Sequence, residues 1–578
     1  MQIERNEIEK IQREESWICG IKWDLSSSNL GLFADILVHG HIYKVKLTYP
    51  PLFPDTPIMV APVENDVRLS NHQYLSGTLC LEWGPDNWQS SITGADMLKS
   101  AYKLLDTENL LGNDNEHEAV SSRHFQTDGQ LNRRKYLRII LNDEVIRYIK
   151  DLHVPEKIPF TAVYSRGNDS LTYHITKIVL SDNTWINEKI PLNFQNEDLF
   201  CSQYGVIYHT NITKDQFSKI ASFEEIEALI QKVDNENITL NETKDLENQN
   251  IQKTDLLIFV TQEKDIVCLW KANDKVYNIS IIEDKDLENR NPSYLSDIAL
   301  KKVGIVGLGS VGSKVAISIA RAGINKFYLI DEDLFFPVNI QRHVLDWRNV
   351  GEHKVKALEK ELAYISPKIQ TESEIVNLVA QESNTYLNQV LIKLGQCDLI
   401  IDCTANSTVF NILSAVCRVY EKSIVWCEVF AGGIGGVIAR SRYGKDPSPK
   451  LMRAAYEDYA NKHPCSEYKV IENYAAEDSS GQIFTASDAD VSVISAHLTR
   501  FAIDTILNSD IPLYPYSLYL IGMSKAWIFD QPFCTIPIAT NGLEIKEKCI
   551  ELNEEEHADN IKFLTDLIEN TKHVQDTD

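Results

Sequence analysis

The run V-G-I-V-G-L-G-S-V-G-S, from Val303 to Ser313, constrains this chain more than any other stretch. An apolar strand runs straight into Gly307, Gly309 and Gly312, and a helix-like segment follows through Ala322. Strand, glycine turn and helix in that order predict a Rossmann-like α/β unit. The glycines allow a tight turn and let backbone N–H groups approach a phosphate at a helix N-terminus, where the dipole also favours an anion. A second apolar strand, Lys326 to Ile330, ends in Asp331, about 20 residues beyond the glycines, where a ribose-binding acid is expected. This geometry serves NAD and ATP equally, so the turn alone selects neither.

The cluster downstream separates the two. N-I-Q-R spans Asn339 to Arg342, Lys354 follows, and D-C-T-A-N runs from Asp402 to Asn406. Hydride transfer has no use for Asn339, Arg342 and Lys354 aimed at phosphates. Adenylation must hold and neutralise a triphosphate while a carboxylate attacks its α-phosphorus. Either cation alone reads as a solvated surface charge; the pair at this spacing favours adenylation.

Gly307 to Asn406 resembles the adenylation domain of ubiquitin-activating enzymes and their bacterial relatives in thiamine and molybdopterin biosynthesis, the ThiF type, over roughly residues 297–508. The resemblance implies ATP and Mg2+ as cofactors, with phosphates over Gly307, Gly309 and Gly312. It implies Asp331 at the ribose, Asp333 in the same nucleotide-binding run, Asn339 and Arg342 at the phosphates and Lys354 near the α-phosphate. It also implies a homodimer through this domain. Where such domains carry a metal-binding Asp just before the Asn of D-C-T-x-N, this chain has Ala405; Asp402, three residues earlier, is the candidate magnesium ligand. Arg290 is a candidate for the arginine that relatives contribute to ATP from the N-terminal side, with an exposed linker charge as the alternative.

The second informative stretch runs from Tyr49 to Trp88. Pro50, Pro51, Pro54 and Pro57 interrupt a strand-like pattern and mark an edge or extended crossing. Cys80 follows a Gly-Thr turn. This resembles the core of a ubiquitin-conjugating enzyme over roughly residues 1–110: a helix with Ile3, Ile8 and Ile11, strands Leu32–Val38 and Tyr43–Leu47, and a helix near Ala95–Leu105. By that resemblance Cys80 is the thioester cysteine. The family's Asn eight residues earlier is replaced by His72, whose imidazole serves either as an oxyanion donor or as a base for an amine. The alternative for Cys80 is a small buried hydrophobe.

An adenylating module fused behind a conjugating module resembles the activating–conjugating fusion proteins of bacterial anti-phage operons, notably those of CBASS systems. The resemblance implies a partner protein activated at its C-terminus, a cGAS-like nucleotidyltransferase or a ubiquitin-like protein, and a target amine. A first thioester cysteine is expected in the crossover between the strand Gly436–Ser441 and the helix beginning near Ala489. Cys465 falls there, with His463 close in sequence; a polar loop cysteine without a role is the alternative. Lys445 to Gly481 reads as a mobile loop. Two further alternatives stay open: a sulfur-carrier adenylyltransferase with a non-catalytic N-terminal domain, and a scaffold with a degenerate nucleotide site, for which Ala405 argues.

The expected fold class is therefore multidomain, α/β and α+β. It comprises a UBC-like domain (1–112), a mixed connecting domain of unassigned fold (113–291), the ThiF-type domain (292–545) and an acidic tail (546–578). In the connector, Leu137–Leu141, Phe160–Tyr164, Tyr173–Val179, Leu256–Val260, Ile266–Trp270 and Val276–Ile281 read as strands, and Phe217–Lys232 as a helix. A net charge of −26 argues against nucleic acid. No long apolar run approaches a membrane span, and the charged first residues are not signal-like, so a cytoplasmic chain is expected. Its eleven cysteines form no C-x-x-C pair, which fits reduced thiols.

Overall fold

The computed structural model describes residues 2–566, leaving out 26–28, 65–66, 71, 75, 109–126, 153–156, 181–182, 196–201, 237, 245–250, 285–292, 465–467, 471–474, 479, 509–510, 541 and 543–556. Two compact units emerge, Met1–Arg133 and Arg134–Asp578. The sequence places its first boundary at residue 112; the observed one lies beyond the short helix Asp128–Asn132, whose Thr127–Gln130 capping box closes its first turn. The connecting and adenylation segments fall within one unit.

In the first unit a four-stranded antiparallel meander, Ile18–Asp24, Gly31–Val38, His41–Thr48 and Met59–Pro62, packs one face against the helices Gln2–Glu14 and Gly94–Glu108. Alternation puts Leu32, Ala34, Ile36, Val45 and Leu47 inward, against Ile8 and Ile11 of one helix and Leu98, Ala101 and Leu105 of the other. Ile3, expected on the apolar face of the first helix, is exposed, because the contact stripe runs through Glu4, Ile8 and Ile11 instead. Glu4 is buried because its carboxylate accepts the Tyr49 hydroxyl and the Gly94 amide.

The second unit begins with a ten-stranded mixed sheet. Ser202–His209 and Ile158–Arg166 lie at its centre, and both of its faces are covered. Ile207, Leu256 and Ile258 pack on one side with Val145 and Ile149 of the helix Asp143–Asp151. Val206, Leu257 and Phe259 pack on the other with Ile226 and Ile230 of the helix Phe223–Asp234. The predicted helix Phe217–Lys232 is broken: Lys214–Phe217 ends before Ser222, which caps the next helix through Glu225. The predicted strand Val276–Ile281 is two, Lys275–Asn278 and Ser280–Asp284, on opposite edges of the sheet. The polar stretch beyond the helix Phe223–Asp234 carries the short strand Glu242–Lys244.

The last layer is an eight-stranded sheet in the order Gln370–Glu374, Lys326–Ile330, Lys302–Val306, Leu399–Asp402, Ser423–Val429, Gly435–Ser441, Leu518–Gly522 and Thr535–Pro537. The first five strands are parallel and the rest antiparallel. Val303 and Ile305 pack toward the helices Ser310–Arg321, Lys354–Ala363 and Asp488–Leu507. Val306, Tyr328 and Ile330 pack toward Asn384–Gly395 and Ser407–Tyr420. This double winding reverses direction between Lys302–Val306 and Leu399–Asp402, which opens a crevice at the carboxyl ends of those two strands. Phe194 meets Tyr364 edge to face, 6.1 Å between ring centres, which ties the preceding layer to this one.

The crossover after Ser441, expected as a loop without regular structure, instead contains the helix Pro449–Lys462 and a three-stranded antiparallel sheet, Tyr468–Val470, Ala475–Asp478 and Ile483–Thr485. Met452, Ala455, Tyr456 and Tyr459 recur at helical spacing and pack around Phe430, Trp426 and Leu520. Residues 557–566 are helical and exposed. No helix among the described residues is long and apolar enough to cross a membrane.

Candidate functional site

At the reversal of strand order the chain turns on Gly307, whose φ of +83° only glycine adopts freely. Its amide donates to the Ile330 carbonyl at 2.9 Å. A Cβ on Gly312 would lie 1.9 Å from the Gly307 oxygen, and one on Gly307 would lie 2.8 Å from Thr404. These two glycines are thus packing requirements of the turn. Gly309 differs: its φ is −73°, it caps the helix Ser310–Arg321 without a side chain, and nothing lies within 4 Å of a Cβ there. Gly309 therefore leaves room beside a helix N-terminus whose first amides have no intrahelical acceptor.

Asp331 braces this turn. Its two oxygens accept the amides of Leu308 at 2.6 Å and Asp333 at 2.8 Å, while burial raises its carboxyl above the usual range. Lys354, 8% exposed at the start of its helix, donates to Asp333 at 2.6 Å. Asn339 accepts the Phe336 amide and so caps its own short 3-10 turn. Arg342 donates to the Ala486 carbonyl at 3.2 Å. The glycine turn, through the Leu308 amide, is thus joined to Asp331, Asp333 and Lys354 in one chain of bonds, and Asn339 and Arg342 belong to the adjoining segment.

Two residues here were not foreseen. Lys314, one turn into the glycine helix, donates to the Arg342 carbonyl at 2.6 Å and pairs with Asp488 at 2.7 Å. His343 Nε2 donates to the Leu308 carbonyl at 2.7 Å while its Nδ1 accepts the Leu345 amide at 3.1 Å. This fixes the neutral tautomer, and burial together with nearby Lys354 and Lys314 pulls its pKa down to about 4. Both were adjacent to residues already singled out, and a cation or imidazole within one turn of a phosphate loop was the available signal.

Asp402 is 3% exposed, and its Oδ1 accepts both the amide and the hydroxyl of Thr404. Burial raises its carboxyl. In this conformation its Oδ1 is turned into its own loop. Ala405 adopts φ +51°, a left-handed backbone that costs a non-glycine residue about 1–2 kcal/mol. Asn406 caps the next helix through the amides of Thr408 and Val409. No group of three metal-binding side chains forms among the described residues.

In the first unit Cys80 is partly exposed, and its amide donates to the His72 carbonyl at 2.6 Å. The neighbouring Cys80 thiol, with burial, pushes the Tyr74 phenol up to about 12. Trp88 donates to the Pro54 carbonyl and ties the proline-rich segment to the chain beyond Cys80. His72 Nδ1 lies 2.7 Å from Glu108. Tyr74 lies within the segment already noted, whereas Glu108 stands 36 residues from His72 and had no local signal.

Cys465 and Arg290 lie outside the described residues. His463 Nδ1 is bonded to the Tyr459 carbonyl. Burial raises the thiols of Cys403, just past the strand Leu399–Asp402, and of Cys427, within Ser423–Val429, well above the ordinary range.

Residues 283–471 match the ThiF family. The chain carries a ThiF-family adenylation domain. It is 29% identical over 151 residues to ubiquitin-like modifier-activating enzyme 5 of Caenorhabditis elegans, covering 25% of this chain and 36% of that protein. It is 37% identical over 130 residues to the ATP-dependent ubiquitin transferase-like protein Cap2 of Enterobacter hormaechei subsp. hoffmannii (strain UCI 50), 22% of this chain and 21% of that protein. The chain thus spans little more than a third of one relative and about a fifth of the other. Among solved structures, E. coli MccB with AMPCPP and MccA aligns at a TM-score of 0.32 and 17% identity, over 43% of this chain and 67% of that one.

Proposed function

We propose that this chain uses ATP to activate the C-terminal carboxylate of a partner protein and captures the acyl group on cysteine, with Cys80 as the residue that delivers it to a target amine. The cradle at the strand reversal carries this reading: Gly307 and Gly312 nest without room for a side chain, Gly309 leaves a helix N-terminus open, and Lys354 stands beside it. A carboxylate oxygen attacks the α-phosphorus, the bond to the bridging oxygen breaks, and pyrophosphate leaves. Lys354 and Arg342 stabilise the charge that develops, after exchanging Asp333 and the Ala486 carbonyl for phosphate. A thiolate then attacks the acyl carbon and releases AMP; Cys465 is the candidate for that first step, and Cys80 takes the acyl group from it.

Magnesium, when bound, neutralises phosphate charge, and such ions are held largely by phosphates and water. No step here is routed through it, because Asp402 is sealed in its turn. Pairing through the adenylation domain, a cytoplasmic setting, and a role in CBASS-type anti-phage defence with a cGAS-like or ubiquitin-like partner complete the proposal. The second reading, a scaffold with a degenerate site, is favoured by Ala405 standing where a metal-binding acid is expected. Release of AMP and pyrophosphate from ATP in the presence of a candidate partner separates the two: the enzyme produces both, the scaffold neither.

A further inference from the structure

The helix Gly94–Glu108 ends by bringing a carboxylate against the segment that holds Cys80. Glu108 is 1% exposed, and both its oxygens are engaged: Oε2 accepts the Ser70 hydroxyl at 2.6 Å, and Oε1 lies 2.7 Å from His72 Nδ1. Ser70, fully buried, accepts the His72 amide at 2.9 Å, so its own proton is committed to Glu108. The His72 carbonyl in turn accepts the Cys80 amide. A carboxylate that accepts from Nδ1 fixes the neutral imidazole as the Nδ1–H form and leaves Nε2 with a free lone pair. The imidazole keeps 20% of its surface exposed, whereas the carboxylate that orients it is sealed from water.

We propose that Glu108 is a positioning residue that makes His72 the base for the amine discharging Cys80. This rests on Cys80 carrying the thioester. The amine nitrogen attacks the thioester carbonyl carbon; the C–N bond forms, the C–S bond breaks, and its electron pair leaves as the Cys80 thiolate. The proton lost by the amine goes to His72 Nε2. Glu108 stabilises the resulting imidazolium, which then returns its proton to the thiolate or to water. The dyad supplies the base; the Cys80–His72 backbone bond keeps base and sulfur on one piece of chain.

A purely structural role, pinning Ser70 and His72 in place, predicts different kinetics. In the test, the full chain is loaded at Cys80 by exchange with a glycine-terminated peptide 2-mercaptoethanesulfonate thioester, which bypasses ATP. Discharge is followed by intact mass with two nucleophiles: lysine, protonated at neutral pH and in need of a base, and hydroxylamine, largely neutral. Glu108→Gln and His72→Gln are each expected to slow discharge to lysine about tenfold or more, with loading and hydroxylamine discharge within about twofold of wild type. The double variant should be no slower than the slower single one. Equal slowing with both nucleophiles, no slowing, or additive losses would overturn the dyad. Should Glu108→Gln fail to fold, the partly exposed His72→Gln still decides the selectivity. A wild-type chain that takes no acyl group on Cys80 fails at loading rather than discharge, and overturns the thioester reading and the dyad together.

Discussion

Around Gly307 the surface offered to a ligand is main chain, whereas around Cys80 it is side chain. The first is made by glycines that leave room and by a helix end that supplies amides. The second is made by Ser70, His72, Tyr74 and Glu108 from two separate segments, linked by hydrogen bonds of 2.6–2.9 Å and the Tyr74–Cys80 contact. A backbone cradle tolerates almost no added atom but is indifferent to its neighbours' identities. A side-chain network tolerates change of shape but fails when one donor or acceptor is lost.

The sharpest way to break this contrast is Gly312→Ala. A Cβ placed 1.9 Å from the Gly307 oxygen forces the turn apart, with an expected loss of about 3 kcal/mol in urea unfolding and no pyrophosphate release. Unchanged stability would mean that the glycines are not nested as described. Next, Lys354→Ala should lower pyrophosphate release about 10²-fold. The melting temperature should hardly move, because its partner Asp333 is 60% exposed and is rehydrated; a large fall in melting would recast Lys354 as a structural ion.

The pH dependence of the second unit sharpens the comparison further. His343 has its folded-state pKa lowered from 6.5 to about 4, so the unfolded chain binds this proton first as the pH falls. The stability owed to neutral His343 is whole above about 6.5 and is lost as pH falls toward about 4, roughly 3 kcal/mol in all. Asp331, raised by burial, acts in the other direction, its contribution fading as pH rises through its folded value. The difference between wild type and His343→Gln in denaturant titrations at several pH values therefore isolates the histidine; parallel curves would contradict its tautomer. The smallest effect is expected for Gly309→Ala. Its φ of −73° suits alanine, so stability should change by less than about 1 kcal/mol while ATP binding weakens severalfold.

The same contrast decides what was legible in the sequence. Gly307 and Gly312 announced themselves because a backbone constraint is written at fixed local spacing, and the strands Lys302–Val306 and Lys326–Ile330 around them are continuous apolar runs. The meander of the first unit was legible through its alternation. Glu108 was not, because only the packing of the helix Gly94–Glu108 brings it to His72. The crossover helix Pro449–Lys462 was missed because Arg453, Glu457 and Lys462 mask a stripe of Met452, Tyr456 and Tyr459. The burial of Asp402 was not legible, because spacing gives no burial; Thr404 bonds its Oδ1.

The most direct test is a non-reducing gel of the full chain with ATP, magnesium and a candidate partner ending in a free carboxylate, run beside Cys80→Ala and Lys354→Ala. The account predicts a thiol-sensitive adduct that requires ATP, disappears with Lys354→Ala, and has lost its Cys80-linked species in Cys80→Ala. An adduct that forms without ATP, or a Cys80→Ala chain that still passes the partner to a target amine at the wild-type rate, would contradict it.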